Sequence, residues 1–130
     1  MTANESLMLN TIGQIAITVR DVEKATTFYR DKLGLKFLFK APPKMAFFQC
    51  GTISLLVGEN ETGEFRPSTT ILYFDVLNID ASYTALLQRE VSFVAAPHLV
   101  HKTADFELWM AFFKDPDENM FAIQSRKKPA

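Results

Sequence analysis

The residues able to do chemistry in this 130-residue chain are few, and their spacing narrows what they could do. Both histidines, His98 and His101, fall in the segment APHLVHKTADF. An imidazole there could act as a general acid or base near neutral pH, or as a metal ligand. The plainer alternative is a pair of surface-loop histidines. Glu107 follows closely, as a second acid/base candidate or as a solvated carboxylate at a strand start. The single cysteine, Cys50, excludes an intrachain disulfide, fits a reducing compartment, and has no base beside it in sequence to make it a nucleophile. Asp115, Asp117 and Asn119 in DPDEN read as turn chemistry, not as a catalytic carboxylate pair. The sequence holds no Ser/His/Asp order, phosphate-binding loop, dinucleotide glycine fingerprint or zinc-type cysteine pair.

Any such group must be positioned by the elements around it. Apolar residues make up 48% and charged residues 22% of the chain, with 14 basic against 15 acidic side chains. That balance suits an ordinary globular protein and offers nothing to nucleic acid. The terminal SRKKPA reads as a solvated tail. MTANESLMLN lacks the basic start and apolar run of a signal peptide, and no run reaches the ~20 apolar residues of a membrane span. A cytoplasmic protein is expected.

IGQIAITV alternates, with Ile15, Ile17 and Val19 on one face and Gln14, Ala16 and Thr18 on the other. Asp21 then caps a helix carrying Val22, Ala25 and Phe28 on one stripe, with Gly34 as its stop. LKFLFK, KMAFFQ and TISLLVG read as three short strands. The plan starts again 57 residues later: STTILYFDV is strand-like, Asn78 caps, and Ile79, Tyr83, Leu86 and Leu87 form a helical stripe. VSFVA, ELWMAFF and NMFAIQ supply three more strands. The expected fold is α+β, with two tandem βαβββ modules forming cupped mixed sheets around a shared cavity. Residues 1–130 make one domain: module one about 11–58, linker 59–67, module two 68–125, tail 126–130. The same parity that turns Gln14 away from the first helix turns Ile71, Tyr73 and Asp75 away from the second. Module two is about eleven residues longer between cap and last strand, which predicts a long loop at APHLVHKTADF, able to fold across the mouth of the cup.

GQIAITVRDVEKATTFYRDKLGLKF and FFKDPDENMFAIQS resemble the opening and the closing strand pair of the vicinal oxygen chelate superfamily, also called the glyoxalase/bleomycin-resistance/dioxygenase fold. Glu118 stands where that family's turn usually has glycine. The resemblance implies four cavity positions that hold a divalent ion in metal-using members, and here they are Gln14, Ser54, Ile71 and Ala122. An amide, a hydroxyl and two hydrocarbons are a poor donor set for a Lewis-acid site. The resemblance also implies a homodimer.

The function expected from these residues is binding of a small organic molecule, without the usual metal and with no other cofactor. Gln14, Ser54, Tyr73, Asp75 and His101 are its polar candidates, and Phe39, Phe47, Phe48, Trp109 and Phe112 its aromatic walls. The alternative is a lyase, isomerase or dioxygenase with a divalent metal in a rebuilt site of Gln14 and the loop histidines. His98 and Glu107 would then be the catalytic candidates. No nucleic-acid or membrane partner is expected.

Overall fold

Asp21 and Asn78 open their helices by the same device. Asp21 lies in extended backbone and its carboxylate accepts from the N–H groups of Glu23 at 2.9 Å and Lys24 at 3.1 Å. Asn78 accepts from Ala81 N–H at 3.0 Å. Each bond satisfies donors that the first helical turn leaves unpaired. The structure, a computed structural model, describes residues 8–129. Helix α1 (Val22–Thr27) continues into a wider π turn, residues 28–32, where Leu33 N–H reaches back to Phe28 C=O at 3.0 Å. Gly34, at φ +75°, then ends it. Helix α2 spans Ile79–Gln88.

The strands are β1 (Gln14–Thr18), β2 (Lys36–Ala41), β3 (Met45–Cys50), β4 (Ile53–Gly58), β5 (Leu72–Asp75), β6 (Ser92–Lys102), β7 (Glu107–Lys114) and β8 (Met120–Lys127). They form two four-stranded sheets, ordered β1-β4-β3-β2 and β5-β8-β7-β6. In each sheet the first and last strands of the module pair in parallel and the other pairs are antiparallel, so both sheets are mixed. The expected pair of βαβββ modules is the observed architecture.

Two expectations about chain path are corrected. APHLVHKTADF is no loop across a cavity mouth, because β6 runs without a break to Lys102 and places Pro97, His98 and His101 inside a strand. β6 is an edge strand, where a proline costs no ladder bond; most of the extra residues lengthen β6 and β7 to 11 and 8 residues, against 6 each for β2 and β3, and shifts in the β6–β7 pairing take up the difference between the two strands. The tail does not begin at 126 either. Arg126 and Lys127 complete β8, and Lys127 bonds Asp80 at 2.8 Å while lying over the Trp109 ring at 4.2 Å. The leader reading of the first ten residues falls mostly outside the described residues.

One core serves both modules. Ile17, Phe48 and Leu55 of the first sheet, with Val19 just past β1, join Phe113, Phe121 and Ile123 of the second, with Ala25, Phe28 and Tyr29 from the first helical segment. The Tyr29 ring lies 5.8 Å from both Phe48 and Phe121. Its hydroxyl donates to Asp115 at 2.6 Å. Asp115 also accepts from the backbone N–H groups of Asp117 and Asn119 and from the Asn119 amide. Asn119 in turn donates to Thr18 C=O at 3.0 Å and accepts from Ser68 N–H at 2.8 Å. The DPDEN turn therefore latches module two onto module one, and Glu118 accommodates it at φ +69°.

Burial, reinforced by the Asp115 carboxylate beside it, pushes the Tyr29 phenol well above the usual tyrosine range. The unfolded chain thus gives up this proton first, at about pH 10, so Tyr29 contributes its full stability below that pH and loses it as pH rises further. Tyr29→Phe should lower stability by about 1–3 kcal/mol at neutral pH, since it leaves Asp115 one donor short. It should also flatten the fall of stability above pH 10 relative to the parent, as urea unfolding at pH 7 and pH 10.5 would show.

Candidate functional site

Paired residues on neighbouring strands share a face, so the register defines the surface each sheet turns away from the core. On the first sheet Gln14 lies beside Ser54, Ser54 opposite Gln49, and Gln49 opposite Lys36, giving a polar row. Next to it run Ala16, Leu56, Phe47 and Phe39. A register shift between Phe37 and Phe39 turns Phe39 onto this face, where its ring stacks on Phe47 at 4.6 Å. Phe39 remains 52% exposed.

The second sheet presents Tyr73, Ala122, Phe112 and Ala95 in one row, and Asp75, Gln124, Met110 and His98 in the next. Phe112 stands at the centre of an aromatic run: Tyr73 meets it edge-on at 6.0 Å and His98 stacks on it at 6.0 Å and 26°. Gln124 donates to Asp75 at 2.8 Å. His98 Nδ1 lies 2.7 Å from Ala96 C=O, a contact that fixes the ring and leaves Nε2 without a protein partner among the described residues.

Ala122 is fully buried although its face is open to solvent. Its cross-strand neighbours are Tyr73 and Phe112, whose rings meet above that small side chain. The two modules are also out of step. Val19 N–H bonds Gly58 C=O, whereas Val76 N–H bonds Gln124 C=O. Ser54 consequently pairs with Gln14 while Ala122 pairs with Tyr73, two residues beyond Ile71.

Of the residues singled out in the sequence, Gln14 and Ser54 come together on one outer face, and Tyr73, Asp75, Phe112 and His98 on the other. His101 lies opposite Leu108 at the far end of that second face. Phe48 and Trp109 do not belong to either surface. Phe48 is buried against Tyr29 and Phe37, because it has the opposite parity to Phe47. Trp109 packs toward the core side under Lys127, and its indole N–H donates to Glu107 at 3.0 Å. Glu107 is also 3.6 Å from Lys102, so its oxygens are engaged away from the aromatic run. Gln124, Met110 and Gln49 were missed, although counting by twos along β8 from Ala122 would have found Gln124.

Residues 11–123 match the model of the Glyoxalase/Bleomycin resistance protein/Dioxygenase superfamily. The chain belongs to this superfamily. A relative, the uncharacterized protein YraH of Bacillus subtilis, is 30% identical over 124 residues, covering 85% of this chain and 94% of its own. Among solved structures, the lactoylglutathione lyase of Agrobacterium tumefaciens superposes with a TM-score of 0.73 at 20% identity, covering 91% of this chain and 95% of the lyase. TnmS3, an antibiotic binding protein from Streptomyces sp. CB03234, gives 0.73 at 22% identity over 93% and 99% of the two chains. An enzyme and a binding protein thus share this fold, so the side chains must discriminate.

The divalent ion often found in this superfamily does not fit the residues present. Ile71 and Ala122 carry no donor, Ala122 is sealed by aromatic rings, and Gln14 and Ser54 supply only neutral oxygens. Among the described residues no three His, Cys, Asp or Glu side chains gather as a metal-holding group. No described helix is long and apolar enough to cross a membrane.

Proposed function

We propose that this glyoxalase-superfamily chain binds a small, flat organic molecule against the Tyr73–Phe112–His98 surface, without a chelated metal. The observation that carries this reading is Ala122, buried beneath two rings at the position where the resemblance implies a metal ligand. An aromatic floor there offers stacking, and Asp75, Gln124 and His98 Nε2 offer polar anchors at its rim. The antibiotic-binding neighbour supports the same class of function on the same fold.

Both outer faces turn away from the shared core and leave Phe39, Ile71 and Tyr73 exposed in a single chain. We place the complete pocket in a homodimer, where the Phe39–Phe47 face of one protomer closes over the Tyr73–Phe112 face of its partner. The reading of Gln14 with His98 and His101 as a rebuilt metal site is not favoured: within one chain Gln14 lies on one sheet and both histidines on the other, and across a dimer Gln14 would add only a neutral amide to a His98 whose Nδ1 is already engaged by Ala96 C=O.

A thermal-shift screen of small aromatic compounds identifies ligands for titration. Phe112→Ala should then weaken binding by roughly tenfold or more while the protein stays folded, because it removes the ring that the other two flank. Unchanged affinity in that variant would place the ligand elsewhere.

A further inference from the structure

On the opposite side of the molecule from the Tyr73–Phe112 surface, a half-open cavity of about 260 Å³ separates the modules under α2. Its walls are Leu33 and Leu35 from module one and Phe74, Val76 and Leu86 from module two. The helical stripe facing it is small at Ser82 and Ala85, which leaves the space unfilled, and ends at Arg89. Arg89 spans the mouth: one guanidinium nitrogen donates to Lys32 C=O at 3.1 Å. The Lys32 ammonium, outside the lining, lies 3.5 Å from Glu90 C=O. Among the described residues neither cation is within ion-pair distance of a carboxylate. An apolar chamber whose lining includes one cation, Arg89, with no carboxylate within ion-pair distance among the described residues, is complementary to one ligand chemistry.

We infer that this inter-module cavity is a second binding site, for a small carboxylic acid with an apolar body. The body fills the Leu33–Phe74–Leu86 chamber, and the carboxylate meets the Arg89 donors not engaged by Lys32. Planar guanidinium suits a carboxylate because two parallel N–H groups can address both oxygens. The volume limits the ligand to fragment size, below that of a typical drug pocket. The site is independent of the reading given to the outer faces, since none of its residues lies on them.

Octanoate tests the inference, with octanol as the uncharged control, each titrated into the full chain while the methyl NMR signals of Leu33, Leu35, Leu86 and Ile123 are followed. Octanoate should shift these methyls saturably and bind about tenfold or more tightly than octanol. Arg89→Gln should reduce octanoate to the affinity of octanol. Ala85→Trp, at an exposed helix position, should fill the cavity and abolish the saturable shifts. The inference is overturned if the parent protein shows no saturable shift at these methyls, or binds octanol as tightly as octanoate. It is equally overturned if octanoate shifts only signals of the Tyr73–Phe112 face. The parent titration decides the matter even where a variant fails to fold.

Discussion

Ala122→Glu is expected to destabilise the protein by about 3 kcal/mol or more and to gain no tightly bound metal. The position is fully buried, with Tyr73 and Phe112 paired on either side of it. A glutamate there must either displace the rings, forfeiting their contact, or bury a charge without a partner. The polar pair in the next row of that face, Asp75 and Gln124, offers a new carboxylate no cation, and Asp75 is itself a carboxylate. Restoring the superfamily's carboxylate therefore does not restore its metal site, because Ile71 still carries no donor and Ser54 only a hydroxyl. Denaturant unfolding with metal analysis after desalting measures both halves of the expectation. A stable variant that retains about one ion per chain would show that the aromatic floor is not a barrier to the metal.

The second large effect belongs to Asp115. Its carboxylate accepts four hydrogen bonds, from Tyr29, the Asn119 amide and the backbone N–H groups of Asp117 and Asn119. Asp115→Ala leaves all four donors without that acceptor inside a buried turn, and each such donor costs about 1–3 kcal/mol. Relaxation and entering water reduce the sum, so a loss of about 3–5 kcal/mol is expected, comparable to breaking a buried charged network. Because the latch joins the DPDEN turn to Tyr29 and Thr18, the module junction should loosen with it. Hydrogen exchange would read this as lost protection in both β1 and β8. Protection lost in β8 alone would mean that the modules hold together without the latch.

Much of the architecture could be read from the chain because its signals are local. The caps at Asp21 and Asn78, and the alternation in IGQIAITV, each depend on neighbours within a few residues. The choice of inward face was harder. In ELWMAFF both parities are apolar, Trp109 and Phe113 on one side and Met110 and Phe112 on the other. Only packing against the shared core decides that Trp109 and Phe113 turn inward and Phe112 outward. Phe47 and Phe48 pose the same ambiguity, and the sequence reading placed both on the ligand side. His98 and His101 read as loop residues because Pro97 and irregular spacing hide a strand whose edge position tolerates both. The latch was half visible: DPDEN declared a turn, but its partner Tyr29 is 86 residues away in sequence.

The central claim, a ligand site that does without a chelated ion, is tested most directly by metal content. Untagged protein would be exposed in turn to Zn²⁺, Ni²⁺, Mn²⁺ and Fe²⁺, desalted and analysed by mass spectrometry. Retention far below one ion per chain is expected for every metal, with a melting temperature unchanged by chelator. About one ion per chain surviving desalting would contradict that claim and return the search to a metal-dependent reaction.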